Sequence, residues 1–357
     1  MKDNEVIMKI LVVGNMGYVG PSVIRQLRQS YPDASIIGFD MGYFGHCLTA
    51  SEMLPECRVD MQCFGDLRKF PKHLLENVQA VVQLAAISND PMGKQYEDVT
   101  YDVNYRSSVQ LAKMAKEAGA NTFVFPSSCS VYGSSDGTAK TEDSAVNPLT
   151  AYAKSKIMAE KELMSLADQS MAITCLRFST ACGMSDRLRL DLVLNDFVAN
   201  AVASNAIDVL SDGSPWRPLI HVKDMARAID WAVIRASTNG GQFLTVNVGS
   251  DEWNYQVKDL AEAVVNVIPE VKLSINPDAQ PDKRSYRVSF QRYKELAPLH
   301  QPLMSLKDVI AELRGGLKVM EFTDKNFRES DLIRHTVLRG LQQKRLLNES
   351  LEWCREK

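Results

Sequence analysis

The sequence predicts an α/β fold built on a doubly wound parallel sheet, with a smaller C-terminal α/β lobe. Short apolar runs rich in Val, Ile and Phe recur along the first half of the chain, each followed by a segment with helical spacing of apolar residues. A glycine-rich turn joins the first run to the first helical segment. Runs as continuously apolar as these are typical of strands that helices cover on both faces of the sheet.

Five apolar runs predict the strands of this sheet. They are KILVV (9–13), SIIGF (35–39), AVVQLAA (80–86), TFVFPSS (122–128) and AITCLRF (172–178). The intervening segments, such as NYRSSVQLAKMAKEAGA and AYAKSKIMAEKELMSLAD, carry apolar residues three and four positions apart, which predicts helices. Strands that alternate with helices in this way predict the doubly wound arrangement.

Beyond residue 178 the pattern changes to longer polar loops, and strand-like runs return at RPLIHV (217–222) and FLTVNVG (243–249). We expect the chain to build a smaller lobe there while returning part of its length to the first domain. The predicted boundaries are 1–178 for the sheet domain with 217–250 returning to it, 179–216 and 251–330 for the substrate lobe, and 331–357 for a helical C-terminal extension.

Composition excludes several classes of protein. Apolar residues make up 45% and charged residues 24% of the 357 positions, which is ordinary for a globular chain and not for a disordered one. A net charge of -3 provides no general attraction to nucleic acid or anionic membranes. No apolar run approaches the roughly 18 residues of a membrane span, and the N-terminus does not resemble a signal peptide. We expect a cytoplasmic protein with neither nucleic acid nor membrane as partner.

The seven cysteines are scattered and form no CxxC pair. This distribution indicates reduced thiols, not a disulfide framework or a metal site.

The turn VVGNMGYVG places Gly14, Gly17 and Gly20 in GxxGxxG spacing between the first strand and the first helix. Glycines there permit a tight turn and let backbone amides approach a diphosphate at the positive end of the helix dipole. Asp40 ends the second strand, where a carboxylate can accept hydrogen bonds from ribose hydroxyls and repel a 2′-phosphate. The pattern favours a Rossmann-type site for NAD over NADP, although Asp40 also suits a turn.

The candidate catalytic residues are Ser128, Tyr152 and Lys156. Ser128 lies in PSSCSVYG, where an apolar strand ends in polar residues, and the other two form a YxxxK pair at the start of a helix. YxxxK alone is unspecific, but an i,i+4 pair shares one helix face, and ligands bind at the carboxyl ends of strands in such sheets.

The three side chains suit alcohol oxidation. A phenol has a pKa of about 10, and lowering it to about 7 needs about 4 kcal/mol of preferential stabilisation of the phenolate. The ammonium of Lys156 and the charge of an oxidised nicotinamide can together stabilise the phenolate. Ser128 would orient a substrate hydroxyl and Tyr152 would remove its proton as hydride leaves the same carbon.

Over about residues 9–289 these features resemble the extended short-chain dehydrogenase/reductase superfamily, specifically its NAD-dependent nucleotide-sugar epimerase/dehydratase family. Further matching segments are FGDLRK, QLAAIS, DVNYRSS, DLVLNDFV, WRPLIHVKD and DKRSYRVS. The resemblance implies an NAD site made of Gly14, Gly17, Tyr18, Val19, Gly20, Asp40, Asp66, Leu67, Leu84, Ala85, Ala86, Asn104, Tyr152 and Lys156.

The same resemblance implies a nucleotide-diphosphate sugar as substrate, no metal, and a homodimer paired through the helices around Asn104 and Tyr152. Guanidinium groups bind phosphate bidentately, which suits two arginines at the diphosphate. The substrate-binding candidates are Ser88, Ser128, Cys129, Ser130, Thr180, Asn195, Arg217 and Arg284. Simpler interpretations stay open: Asn104 suits a helix cap, Arg217 a surface loop, and His221 a structural strand position.

The residues after Ser128 bear on the reaction. A 4,6-dehydratase of this family has an acid pair there, usually Asp-Glu, whereas this chain has Cys129 and Ser130, which are poor proton donors at neutral pH. The family's 3,5-epimerase/reductases use a cysteine that aligns with Ser130, so the thiol of Cys129 should point elsewhere. Thr180 replaces the family's usual asparagine.

We therefore favour an NAD-dependent nucleotide-sugar 4-epimerase acting through a transient 4-keto intermediate. A 4-dehydrogenase or 4-ketoreductase would use the same three catalytic residues. A non-catalytic NAD-binding sensor on the same fold is disfavoured, because a sensor has no need of them.

Overall fold

A seven-stranded parallel sheet dominates the computed structural model, which describes residues 7–49, 51–88, 90–279 and 284–354. The strands are β1 (Lys9–Val13), β2 (Ser35–Asp40), β3 (Met61–Phe64), β4 (Ala80–Gln83), β5 (Thr122–Ser128), β6 (Ser134–Lys140), β7 (Ala172–Phe178), β8 (Thr180–Cys182), β9 (Ala206–Val209), β10 (Trp216–His221), β11 (Phe243–Val248), β12 (Asn254–Gln256), β13 (Lys272–Ile275) and β14 (Ser285–Val288). The large sheet has the order β11-β7-β5-β4-β1-β2-β3, and the predicted doubly wound fold is confirmed.

Helices cover both faces of this sheet. The helices of the described chain are α1 (Gly20–Ser30), α2 (Asp90–Gln95), α3 (Glu97–Tyr101), α4 (Ser108–Glu117), α5 (Ala151–Met164), α6 (Val193–Ser204), α7 (Val222–Ile234), α8 (Val257–Val267), α9 (Gln291–Leu296), α10 (Leu306–Val319) and α11 (Arg334–Gln343). On one face of the sheet are α1 and α7, and on the other are α4 and α5. A π-helical turn, Asp102–Ser107, joins α3 to α4. Among the described residues, no helix combines the length and apolar character that crossing a bilayer requires.

Alternate residues of the strands supply two separate hydrophobic cores. Ile10 and Val12 of β1 pack in the core that contains α1, α6 and α7, whereas Leu11 and Val13 pack in the core that contains α4 and α5. Successive side chains of a strand point to opposite faces, so a strand buried on both faces must be apolar throughout. This explains why the predicted runs were continuous.

Within the large sheet, the strand predictions differ from the structure at two places, and the strands β6, β8, β9, β12, β13 and β14 of the smaller sheets were not predicted. The run at 80–86 ends as a strand at Gln83, because the amides of Leu84 and Ala85 both donate to the carbonyl of Val13 at 2.7 and 3.0 Å. That turn brings the chain towards the glycine turn. β3 was missed, since it is four residues long, lies at the edge of the sheet and is partly exposed, so it carries no apolar run.

The stretch 217–250 is divided between two sheets. β11 pairs with β7 in the large sheet as expected for a returning segment, but β10 pairs with β12 and β8 in a separate three-stranded sheet. Residues 216–218 pair with β12 and residues 219–221 with β8, and the change of side occurs at Pro218, which has no amide hydrogen to donate.

The C-terminal extension is helical over only part of the predicted length. α11 ends at Gln343, and Arg345 then has a positive φ of 58°, which ends helical geometry. The following residues fold back through a β-bridge between Leu347 and Trp353, and residues 355–357 lie outside the described range. Trp353 donates from Nε1 to the carbonyl of Met41 at 2.7 Å, so this segment is anchored on the loop after β2.

Candidate active site

A cavity of about 990 Å³ runs along the carboxyl edge of the large sheet and continues into the smaller lobe. The order of the large sheet reverses direction between β1 and β4, and the carboxyl ends of strands at such a reversal form the binding crevice of doubly wound sheets. The predicted residues that line it are Gly14, Gly17, Tyr18, Val19, Gly20, Asp40, Asp66, Leu67, Leu84, Ala85, Ala86, Ser88, Ser128, Ser130, Tyr152, Lys156, Thr180, Arg217 and Arg284.

The three glycines of the turn have different physical reasons to be glycine. Gly14 has φ +87°, and a Cβ there would lie 2.3 Å from the backbone nitrogen of Ala85. A Cβ on Gly20 would lie 2.1 Å from the carbonyl oxygen of Asn15. A Cβ on Gly17 would meet the protein only at ordinary contact distance, 3.5 Å from the carbonyl of Gly14. Gly17 therefore leaves room in the cavity at the start of α1, which fits a diphosphate against backbone amides.

Asp40 is held at the end of β2 by backbone hydrogen bonds. Its Oδ2 accepts from the amide of Met16 at 3.0 Å, and its Oδ1 accepts from the amide of Gly42 at 2.8 Å. Burial raises the pKa of this carboxyl, and the two amides partly oppose that shift. Each carboxylate oxygen can accept a second hydrogen bond. The residue thus orders the turn, as the simpler interpretation proposed, and keeps acceptors for ribose hydroxyls.

Ser128 and the Tyr152–Lys156 pair converge from β5 and α5. Ser128 is the last residue of β5, and its Oγ accepts a hydrogen bond from the amide of Ser130 at 3.1 Å. α5 begins after Thr150, whose Oγ1 caps it by accepting from the amide of Ala153 at 3.2 Å. Nζ of Lys156 lies 5.7 Å from the ring centroid of Tyr152 and donates to the carbonyl of Pro126 at 2.7 Å.

Comparison with known proteins agrees with this geometry. The model of the NAD dependent epimerase/dehydratase family matches residues 10–249, which is more than half of the chain. The chain belongs to this family. NAD is accordingly its cofactor, and the turn, Asp40 and the room beside Gly17 fit that group.

Individual relatives of this epimerase/dehydratase are distant. The chain is 30% identical to UDP-glucose 4-epimerase of Lactobacillus helveticus over 50% of its own length and 53% of that protein, about half of each. It is 29% identical to the uncharacterized UDP-glucose epimerase YtcB of Bacillus subtilis, over 69% of this chain and 78% of that one.

A solved UDP-glucose 4-epimerase from Stenotrophomonas maltophila has a TM-score of 0.74 at 21% identity, covering 88% of this chain and 99% of that one. This likeness establishes the shared fold.

Lys156 is a buried cation at the cavity. Burial lowers the pKa of its ammonium to about 8, although the nearby Cys175 and Glu160 act in the opposite direction. The ammonium also lies 4.5 Å from the ring centroid of Phe125. At neutral pH Lys156 is therefore mainly charged and close to Tyr152, as the proposed stabilisation of a phenolate requires.

A buried polar network below the site was not found from the sequence. Arg177 of β7 forms a bidentate ion pair with Glu160 of α5, with its Nη2 2.7 Å from Oε2, and Ser127 of β5 also donates to Glu160. Burial disfavours the charge of Arg177, but its hydrogen bonds to Glu160 and the negative charge of that carboxylate raise its pKa overall. One signal in the sequence was available: because neighbouring strand residues face opposite sides, a serine next to Ser128 must point away from it, into the interior, where it needs a polar partner.

Cys129 does not face the cavity, so its inclusion among the substrate-binding candidates needs correction. The residue is fully buried, and its thiol donates to the carbonyl of Arg177 at 3.0 Å. Burial also raises the pKa of the thiol. Ser130, one position further, lines the cavity. The side chains of Cys129 and Ser130 therefore point in different directions, as the sequence predicts for neighbouring residues of a strand.

Asn104 and Asn195 are also fully buried and hold other parts of the site in place. Asn104 bonds to both backbone groups of Ile87 and donates to Oγ of Ser155, which joins the loop after β4 to α5. Asn195 accepts from the amide of Gly183 at 3.0 Å and donates to the hydroxyl of Tyr18 at 3.0 Å. Their side-chain bonds position the cavity wall, and direct contact with ligands stays a prediction.

At the far end of the cavity, Arg217 donates through Nη1 to the carbonyls of Trp216 and Arg284. This contact brings together the two arginines that the sequence placed at a diphosphate. His221 is fully buried, and its Nε2 lies 2.7 Å from a carboxylate oxygen of Glu312. Its Nδ1 accepts from the amide of Lys223 and caps α7, so His221 has the structural role that the sequence favoured.

Arg189 is a cavity residue that the sequence did not indicate. It forms a bidentate pair with Asp191, at 2.7 and 2.9 Å, and donates from Nη1 to Oγ of Ser88 at 3.0 Å. The segment RLRLD alternates charged and apolar residues, a pattern that indicates a strand and not a binding site, so it gave no functional signal for Arg189.

Replacing Lys156 by Met should stabilise the nucleotide-free protein at pH 7 by about 2 kcal/mol and abolish turnover. The shift of its pKa from 10.5 to about 8 means that the buried ammonium destabilises the folded state by about 3 kcal/mol at pH 7. Removing it also leaves the carbonyl of Pro126 without its hydrogen bond, which costs about 1 kcal/mol. The folded state loses this proton near pH 8 and the unfolded state near 10.5, so wild-type stability rises over that window and the difference between the proteins narrows. Urea unfolding of both proteins from pH 7 to 10.5 measures the difference between their free energies of unfolding.

Lys154→Met, at an exposed position of the same helix, is the matched control and should change stability little. A constant difference between Lys156→Met and wild type across the pH range would contradict the assignment of a buried ammonium.

Replacing Asp40 by Ala should weaken NAD binding by about tenfold or more and reduce the preference for NAD over NADP, since a charged hydrogen-bond acceptor for ribose is lost. Asp40→Asn keeps one acceptor oxygen but removes the charge, so it should relax the preference with a smaller loss of NAD affinity. Calorimetric titration with both dinucleotides measures these effects, with the exposed Asp33→Ala as control. An unchanged preference in both variants would remove Asp40 from cofactor selection.

Proposed function

We propose that the protein is an NAD-dependent nucleotide-sugar 4-epimerase. The observation that carries the proposal is one continuous cavity, lined both by Ser128, Tyr152 and Lys156 from β5 and α5 and by Arg217 and Arg284 from the smaller lobe. Such a cavity suits a ligand with an oxidisable hydroxyl at one end and a diphosphate at the other. Relatives named UDP-glucose 4-epimerase, and the Stenotrophomonas structure solved with NAD and formylated UDP-arabinopyranose, support this substrate class.

Each residue has a defined task in the proposed reaction. Ser128 orients the 4-hydroxyl of the sugar, and Tyr152 as phenolate removes its proton. Lys156, positively charged near the phenol, stabilises the phenolate. When bound, NAD supplies reversible hydride acceptance at C4. After the ketosugar has reoriented in the site, Tyr152 returns the proton to the oxygen at C4. The arginines hold the diphosphate throughout the reaction.

The position of Cys129 supports epimerisation over 4,6-dehydration. Dehydration needs a second acid and base beside the catalytic hydroxyl, but this thiol is fully buried and bonded to the carbonyl of Arg177. Ser130 lines the cavity, but a hydroxyl is a poor proton donor at neutral pH. The site therefore has the residues for removing and restoring one hydride and one proton at a single carbon.

The deciding experiment is incubation with a panel of UDP-, dTDP-, GDP- and CDP-sugars, following product stereochemistry and the absorbance of bound NADH. We expect an inverted C4 centre with no net NADH. Accumulated NADH with a ketosugar product would instead indicate a 4-dehydrogenase. Tyr152→Phe should lower turnover by about 10²- to 10⁴-fold and retain NAD, because the general base is lost. Tyr101→Phe on α3 is the control, and wild-type turnover by Tyr152→Phe would overturn the mechanism.

We also propose a homodimer formed through α4 and α5. The support is that Met158 and Met164 of α5 are exposed, at 40% and 57%, which is an apolar surface suited to a second copy. Sedimentation equilibrium should give twice the monomer mass, and Met158→Glu should shift the equilibrium towards monomer. A wild-type monomer at micromolar concentration would contradict this assembly.

A further inference from the structure

Arg334, in the first turn of α11, is buried in the wall of the cavity. Its side chain is nearly inaccessible, with 2% of the residue exposed, yet it contributes to the lining. Nη2 donates to the carbonyl of Arg187 at 2.7 Å, and the guanidinium lies 4.5 Å from the ring centroid of Phe44. Nη1 is buried and has no hydrogen-bond partner in the part of the chain that the structure describes, although the thiol of Cys47 lies close enough to the guanidinium for each group to shift the pKa of the other. A buried donor without an acceptor is costly, which points to a missing ligand.

The neighbouring charges leave Arg334 uncompensated. Arg187 forms a bidentate pair with Glu56, at 2.7 and 3.0 Å, and Arg189 forms one with Asp191. Within the described residues, both carboxylates are therefore paired with other arginines, and neither forms an ion pair with Arg334. Burial lowers the pKa of Arg334 to about 10, so it stays charged at neutral pH. One positive charge at the cavity wall thus remains for an anion to neutralise.

The contacts of Arg334 identify which anion is nearby. Phe44 belongs to the loop that begins after Asp40, and Asp40 itself bonds to Met16 in the glycine turn. Nε of Arg187 donates to the carbonyl of Phe44 at 3.2 Å, so both neighbours of Arg334 are joined to the loop after Asp40, and Phe44 of that loop lines the cavity. The diphosphate of the sugar nucleotide is assigned instead to Arg217 and Arg284.

We propose that Arg334 is a cofactor-binding residue whose Nη1 donates to the diphosphate of NAD. The inference rests on the cofactor site described above. Arg334 lies beyond residues 10–249, so the contact comes from a segment outside the stretch that the family model matches. Guanidinium donors to phosphate form short, charge-assisted hydrogen bonds, which are stronger than neutral ones.

The C-terminal segment holds Arg334 in this position. Leu338, one turn along α11, packs with Ile87 and Met92 beside the cavity, and Leu351 packs in the same cluster. The hydroxyl of Tyr43 donates to the carbonyl of Leu351, which ties the segment to the loop that carries Phe44. Release of the cofactor therefore requires either loss of the Arg334 contact or displacement of a packed helix, and NAD should dissociate slowly.

The test compares Arg334→Met with wild type and with Arg339→Met, an exposed arginine on the same helix, as matched control. Calorimetric titrations use NAD, adenosine and UDP, and acid extracts quantify the NAD that copurifies. We expect Arg334→Met to bind NAD about 10- to 100-fold more weakly and to copurify with less of it. Binding of adenosine, which has no phosphate, and of UDP should not change, and Arg339→Met should match wild type.

Thermal unfolding of the nucleotide-free variants separates cofactor binding from a structural role. Removing an unpaired buried charge should leave the melting temperature of Arg334→Met equal to or above that of wild type. Arg334→Lys keeps the charge with a single compact donor group and should lose less NAD affinity, so it extends the test if Arg334→Met does not fold.

Unchanged NAD affinity in Arg334→Met would overturn the inference, as would an equal loss of adenosine binding. Loss of UDP binding with NAD retained would also overturn it, because the anion would then belong to the substrate. Wild-type protein that binds no NAD would overturn the cofactor assignment itself, which distinguishes that failure from the failure of Arg334 alone.

Discussion

The buried ion pair between Arg177 and Glu160 determines how the catalytic elements meet. Arg177 belongs to β7, Glu160 to α5, and Ser127 of β5 donates to the same carboxylate. Breaking a buried pair leaves an uncompensated charge and costs about 3–5 kcal/mol, so other positions of α5 over the sheet are strongly disfavoured. Because Glu160 is one turn beyond Lys156, fixing the pair also fixes the Tyr152–Lys156 face against the end of β5.

The cavity contrasts with this fully compensated interior. Two buried cations that line it, Lys156 and Arg334, bond to backbone carbonyls rather than to carboxylates. Each carries a desolvation cost that the folded protein does not recover in the absence of a ligand. The roles proposed for Lys156 and Arg334 would place this loss of stability where charge serves chemistry or binding, as is common where local rules are broken at functional sites. A charged cofactor and a phenolate are the natural counterparts of these two cations.

Much of the fold and the centre of the site followed from patterns within single elements. The strand at 9–13 was found because both of its faces are buried, and Tyr152 and Lys156 because i,i+4 residues share a helix face. Edge strand β3 was missed because partial exposure removes the apolar signal. Arg189 and Arg334 were missed because the contacts that place them at the cavity are distant in sequence: Arg189 donates to Ser88, 101 residues away, and Nη2 of Arg334 bonds to a carbonyl 147 residues away.

The sequence by itself determined the alternation of the central strands with their helices, the glycine turn, and several of the residues at the carboxyl edge of the sheet. Periodicity reports which face of an element is buried, and it does so without reference to neighbours. The tertiary structure decided which residues share a site. It turned Cys129 into the interior, gave Asn104 and Asn195 positioning hydrogen bonds, and brought Arg334 from the C-terminal segment to the cavity wall. Such contacts depend on how elements pack together, and spacing along the chain does not encode the packing of distant segments.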